Sequence, residues 1–279
     1  MLAPPPGRYP AAVPTPSDRD PASLRDFALS LVDETDPLAL RLAAGELTIT
    51  AKHDRTLVTE ADTGVEERLR ARIGAAFPQH GILGEEFGTE SGDGETRWII
   101  DPIDGTHNFV RGIPVWATLI AVERGGELSA AVVSAPALHQ RWHAALGYGA
   151  ATRDHAGDRP IHVSSVAGLA DAQLVYSTFA RLERGGLASA LSSLTADAWR
   201  DRGFGDFWGY CLVAQGSAEA MFEVGPTLWD LAAPALVVRE AGGTFTDFDG
   251  SPSVAGPTAL ATNGQLHGEL LRRLSAASG

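Results

Sequence analysis

Between Val115 and His155 the chain runs through successive apolar stretches, VWATLIAVE, LSAAVVSA, RWHAAL and a shorter ATRDH, and no other feature narrows its fold as much. Glycine-rich turns such as Gly125-Gly126 and Gly147-Tyr148-Gly149 separate them, which predicts an antiparallel meander. After Val163 the pattern changes. AQLVYST, DAWR, AEAMFEV, GTFTDF and ALATN read as strands, and they alternate with helices expected near Leu182 to Leu194, near Phe207 to Gln215, from Asp230, and at the end.

Upstream of the meander, Leu24, Phe27, Ala28 and Leu31 mark an amphipathic helix over about Pro21 to Ala44, with Pro37 expected to kink or divide it. Glu46 to Ala51 is a short β-branched run. Asp62 to Phe77 is helical in period, with Val65, Leu69, Ile73 and Phe77 on one face and Pro78 ending it. Gly81 to Gly84 and Trp98 to Ile100 read as short buried strands, each running straight into acidic residues. The predicted organisation is a disordered proline-rich start (1–20), an α+β region with an antiparallel sheet (21–158) and an α/β region (159–279), with the site between them. The fold class expected is therefore mixed α+β and α/β in layers.

Composition removes several classes of function. A net charge of −13 repels nucleic acid and anionic lipid, so neither is expected as a partner. No uncharged apolar window approaches the length of a bilayer span. The first residues, MLAPPPGRYPAAVPTPSDRDP, lack the basic start and apolar core of a signal peptide, and a reducing cytoplasm is the expected compartment. The one cysteine, Cys211, lies in an apolar stretch and reads as a buried small hydrophobe.

The chemistry concentrates in Asp101-Pro102-Ile103-Asp104-Gly105-Thr106. Two carboxylates three residues apart cannot both be buried and ionised without compensation, and cations compensate them at least cost. They would also reverse the field that a phosphate ester meets on so acidic a protein. Gly105 permits a tight turn, and Thr106 opens a short helix whose amides can take a phosphate oxygen. Hard cations need further oxygens, for which Glu85 and Glu86 in Gly-Glu-Glu-Phe-Gly and Asp230 in Trp-Asp-Leu-Ala-Ala-Pro are the natural suppliers. Taken singly, each piece has an ordinary alternative: an Asp before a helix commonly caps it, Glu-Glu after Gly is commonly solvated, and Asp-Gly is commonly a turn.

Together and in order, Lys52 with Val58-Thr59-Glu60-Ala61-Asp62, Gly84-Glu85-Glu86, Asp101 to Thr106, and Trp229-Asp230 with Glu240-Ala-Gly-Gly243 resemble the inositol monophosphatase superfamily over residues 22 to 275. The resemblance implies a layered αβαβα sandwich and a magnesium-dependent phosphomonoesterase that is commonly a homodimer. It implies that Glu85, Asp101 and the carbonyl of Ile103 hold one magnesium ion, that Asp101, Asp104 and Asp230 hold a second, and that a third, looser ion lies near Glu85. Asp62 and Thr106 would orient the attacking water, and the amides of Gly105 and Thr106 would take phosphate oxygens.

A narrower resemblance, to bacterial histidinol-phosphate phosphatases, rests on Gly105 to Leu119, Val133-Ser-Ala-Pro136, Arg141-Trp142 and Gly205-Asp-Phe-Trp-Gly-Tyr210. Histidinol phosphate carries an ammonium and an imidazole, so its leaving group wants carboxylates, with Asp206 and Glu223 as candidates. Asp206 has the alternative role of capping the helix that begins near Phe207, and Trp208 that of core packing. His107, where relatives often carry Lys, and His143 depart from the pattern. An inositol-1-phosphate or broad polyol-phosphate phosphatase of the same fold is the competing substrate reading, and a silent binding protein on this fold is the non-enzymatic one.

Overall fold

The computed structural model describes residues 17–45, 49–51 and 57–275. Most of the proline-rich start, Lys52 and the first half of the Glu46–Ala51 run lie outside the described residues.

Helix α1 (Pro21–Ala43) begins where Asp20 accepts the N–H groups of Ala22 and Ser23, and Pro21 occupies the first position, where a missing N–H costs nothing. Pro37 does not divide it. The helix passes through the proline unbroken because Val32 before it and Ala39 after it are both fully buried, so packing on each side outweighs one lost hydrogen bond. Strands β1 (Ile49–Ala51) and β2 (Leu57–Thr59) form an antiparallel hairpin that leads into α2 (Glu60–Ala76).

Next come β3 (Gly81–Gly84), β4 (Gly88–Glu90), β5 (Thr96–Asp104), the short α3 (Thr106–Val110), β6 (Ala117–Arg124), β7 (Glu127–Ala135), β8 (Gln140–Ala145), β9 (Gly149–Asp154) and β10 (Gly157–Pro160). They make one eight-stranded sheet in the order β10-β9-β8-β7-β6-β5-β3-β4, antiparallel except where β3 lies parallel to β5. The expected meander is its central part. Two edge strands, β4 and β10, were not expected: β10 reads Gly-Asp-Arg-Pro, is exposed throughout, and so carries no apolar alternation to betray it. It carries the sheet just past the expected division at residue 158.

The rest of the chain gives β11 (Gln173–Tyr176), α4 (Phe179–Arg184), α5 (Ala188–Asp197), β12 (Arg200–Arg202), α6 (Asp206–Ala214), β13 (Ala220–Val224), α7 (Leu228–Glu240), β14 (Thr244–Thr246), β15 (Thr258–Thr262) and α8 (His267–Ser275). Here the five-stranded order is β12-β11-β13-β15-β14, parallel from β12 to β13 and antiparallel beyond. The helix expected over Leu182 to Leu194 is two helices, broken at Gly185-Gly186, where Gly186 takes a φ of 80°. Asp197, expected to open a strand, instead ends α5.

Alternation along the strands sorts the core into layers. Trp98, Ile100, Ile120, Val122 and Val132 pack beneath α1 and α2, whereas Ile99, Leu119, Ala121, Val133 and Trp142 face α6 and α7. Those two helices also meet the inner face of the second sheet through Phe207, Cys211, Met221, Val238 and Phe245. Its outer face, with Leu174 and Phe222, is covered from α4, α5 and α8 by Leu182, Leu191 and Leu270. The order of layers is helix, sheet, helix, sheet, helix. Cys211 is buried in the middle one, as its apolar context predicted.

Candidate active site

Strand β5 ends in a bulge: its register against β6 shifts between Asp101 and Asp104. Pro102 has no N–H to give the ladder, its carbonyl accepts the hydroxyl of Thr118 at 2.9 Å, and Asp101 Oδ1 accepts the N–H of Ile103 at 3.0 Å. The chain then turns at Gly105, whose φ is +82° and where a Cβ would stand 3.0 Å from the carbonyl oxygen of Val115. Only glycine suits that position.

Two further acids reach the same place from helix starts, and both are mounted alike. Asp62 and Asp230 each occupy the third position of a capping box: the N–H of Thr59 donates to Asp62 Oδ2 at 2.7 Å, and the N–H of Thr227 donates to Asp230 Oδ2 at 2.7 Å. One oxygen of each is thus fixed by the cap. The other oxygen of Asp62 lies 3.3 Å from the Thr106 hydroxyl, which is also 3.0 Å from the carbonyl oxygen of Ile103.

Carboxylate oxygens of Asp101, Asp104 and Asp230 lie within 4.8 Å of one another. They line a cleft of about 520 Å³ between the two sheets, with Glu85, Ile103, Gly105, Thr106, His107, Asp206, Thr227, Trp229 and Arg181 among the other walls. Burial first, then the charges of Glu85, Asp104, Asp230 and Asp62, push the Asp101 carboxyl well above the usual range. Asp104 is also pushed well up, by burial and by Asp206 and Asp230, against the pull of the Phe207 N–H. Asp62 and Asp230 move the same way, both chiefly through burial. Buried acids this close ionise together only beside compensating positive charge. Oxygen is the only donor type in the three-residue cluster, so the set fits a hard divalent cation.

The substrate-side candidates divide. The helix-cap alternative for Asp206 does not hold: Gly205 is the N-cap of α6, and the N–H of Phe207 donates to Asp104 Oδ2 at 2.8 Å. Asp206 itself takes a φ of +50°, uncommon for a residue with a side chain, and its carboxylate lines the cleft. Burial raises its pKa while Arg181 opposes the rise. Glu223 is buried and accepts the Tyr210 hydroxyl at 2.6 Å, but it is not among the residues lining the cleft. Burial pushes its pKa up to about 8.

Several motif residues serve the fold. Arg141 is locked to Asp33 and Asp36 of α1 and to Ser134, and Trp142 is buried with its indole N–H on Gln215 at 2.8 Å. His143 is buried against Asp158, away from the cleft, whereas His107 lines it. Trp208 packs edge-on against Phe204 with ring centroids 4.9 Å apart, and joins the core between the sheets. Arg181 was not anticipated. It sits on an ordinary exposed turn of α4, where no spacing marks it, and only folding brings it to the acids. Thr227 carried a signal that went unread, the Thr-x-x-Asp pattern of a capping box.

A model of the family described as "Inositol monophosphatase family" matches residues 20–278. The chain belongs to the inositol monophosphatase family. It is 49% identical over 252 residues to a histidinol-phosphatase of Mycobacterium tuberculosis, covering 90% of this chain and 97% of that one. A histidinol-phosphatase of Streptomyces coelicolor is 45% identical over 263 residues, with coverage of 91% and 98%. Among solved structures, the extragenic suppressor protein suhB of Bartonella henselae superposes with a TM-score of 0.84 at 29% identity, covering 90% of this chain and 98% of that one. As a member of the inositol monophosphatase family with such relatives, the protein is a phosphoric monoester hydrolase. Among the described residues no helix is long and apolar enough to cross a membrane.

Proposed function

We propose that this hydrolase acts on histidinol phosphate, releasing histidinol and phosphate, with magnesium held by Glu85, Asp101, the carbonyl of Ile103, Asp104 and Asp230. The observation that carries the metal reading is the convergence of three carboxylates within 4.8 Å, those of Asp101 and Asp104 buried and that of Asp230 half-buried, with Arg181 as the one lysine or arginine along the described cleft walls. Bound there, magnesium would lower the pKa of the attacking water and neutralise charge developing on the phosphoryl and leaving oxygens.

This chain's own residues supply position and proton handling. The Thr106 hydroxyl has one proton and can donate it in a hydrogen bond to Asp62 Oδ1 or to the Ile103 carbonyl, leaving its lone pairs to accept a hydrogen bond from the water. When it faces Asp62, the water's proton can pass to Thr106 Oγ1 as the hydroxyl's own passes to the Asp62 carboxylate. Burial holds the Asp62 carboxyl above its usual range, which makes it a stronger proton acceptor than an exposed aspartate. The amides of Gly105 and Thr106, at the turn where only glycine fits, would take phosphate oxygens.

For the leaving group, Asp206 offers an anion in the cleft that is free of helix capping, which favours an ammonium over a neutral polyol. The two histidinol-phosphatase relatives support the same substrate. Phosphate release should be measured from histidinol phosphate and from inositol 1-phosphate, with magnesium present and with a chelator. Faster release from histidinol phosphate, abolished by chelation, is expected. Equal rates on the two esters would overturn the substrate, and full activity in chelator would overturn the metal.

A further inference from the structure

Glu85 stands on a tight turn between β3 and β4, and that turn is held from behind by a carboxylate. Glu66, one helical turn beyond Asp62 on α2, is fully buried. Its Oε2 accepts the N–H of Glu86 at 2.8 Å, and its Oε1 accepts the N–H of Phe87 at 3.2 Å and the Nε–H of Arg70 at 2.8 Å. Arg70 in turn donates to the carbonyl of Gly88 at 2.5 Å and lies 5.9 Å from the centroid of the Phe87 ring. The backbone comes so close that a Cβ on Gly84 would stand 2.1 Å from Glu66 Oε1. Three N–H donors therefore converge on two acceptor oxygens. An amide in place of the carboxylate would set its own N–H groups against at least one of those donors.

We propose that Glu66 is a positioning residue for the cation site. Braced by Arg70, it fixes the turn that presents Glu85 and so sets how tightly Glu85 and Asp101 hold the cation. One helix then controls both sides of the reaction centre, Asp62 from its first turn and Glu85 through Glu66. The inference rests on Glu85 and Asp101 being cation ligands, as proposed above. Partners that orient metal ligands from behind are worth about 10- to 100-fold in affinity.

Glu219 provides the control for a merely structural carboxylate. It too is buried, accepting the Ser164 hydroxyl at 2.8 Å and the N–H of Gln173 at 2.6 Å, at the end of β13 away from the cleft. Magnesium alone should be titrated calorimetrically into metal-free wild type, Glu66→Gln, Gly84→Ala, Glu219→Gln and Asp101→Asn. Glu66→Gln is expected to bind about 10- to 100-fold more weakly, Glu219→Gln like wild type, and Asp101→Asn not measurably. Gly84→Ala, which keeps every charge but intrudes on the Glu66 carboxylate, should weaken binding as well, and it decides the matter should Glu66→Gln fail to fold. Wild-type affinity in Glu66→Gln or Gly84→Ala, or an equal loss in Glu219→Gln, overturns the positioning role. Wild-type affinity in Asp101→Asn instead overturns the cation site itself.

Discussion

The two walls of the cleft are built on different principles. On one side, Asp101, Asp104, Gly105 and Thr106 come from a single continuous segment, where a buried strand ends in a bulge and a turn that only glycine allows. On the other, Arg181, Asp206, and Thr227 with Asp230 come from three separate stretches of the chain, brought together by α4, α6 and α7. The first wall is local and rigid, and its geometry follows from a few backbone constraints. The second is a product of packing. The hydrogen bond from the Phe207 N–H to Asp104 joins them, so the start of α6 is set by the wall it faces. Such a division lets chemistry stay constant while the leaving-group side varies with helix placement.

Substituting on each wall in turn should expose the difference. Asp101→Asn, on the local wall, is expected to lower turnover by at least about a thousandfold on every ester, with the fold intact by circular dichroism. A rate near wild type in magnesium would break the comparison at its strongest point. Asp206→Asn, on the assembled wall, should cost only about five- to tenfold in kcat/KM on histidinol phosphate, the worth of one partly exposed ion pair of about 1 kcal/mol, and should leave inositol 1-phosphate unchanged. A uniform loss on both esters would place Asp206 with the chemistry and erase the distinction.

The smallest effect concerns stability rather than rate. Glu223, ordinarily near 4.5, is pushed by burial up to about 8 in the folded chain, so the folded state holds its proton more tightly than the unfolded one. Its contribution to stability is therefore fully present below about 4.5 and is lost as pH rises through about 8. Glu223→Gln removes that dependence and keeps an acceptor for the Tyr210 hydroxyl. In chelator, wild type should fall behind the variant in Tm by at least a few degrees between the two ends of that range. Parallel curves would mean that Glu223 ionises as freely as an exposed acid.

The legibility of the fold followed the same division. Strands β6 to β9 could be read because apolar runs bounded by glycine turns leave few alternatives. The polar edge strands β4 and β10 could not, since they are stabilised by pairing with a neighbour and not by their own burial pattern. Gly185-Gly186 divides a stretch whose apolar spacing continues through it, so periodicity alone joined α4 to α5. At the site, motif order pointed to Glu85, Asp101, Asp104 and Asp230, which the fold brings to one cleft. It did not show that Arg141 and Trp142 build the fold, that Glu223 stands off the cleft, or that Arg181 joins it.

By itself, the sequence determined the meander, the acidic turn at Asp101 and the glycine it requires, because those depend on neighbours within a few residues. Tertiary structure alone decided that Asp104 accepts the Phe207 N–H at the start of α6 and leaves Asp206 to the cleft, that Arg181 joins the acids, and that Glu66 holds the turn of Glu85. Each of these is a contact between segments far apart in the chain, set by how helices pack against two sheets, and no short-range pattern encodes it.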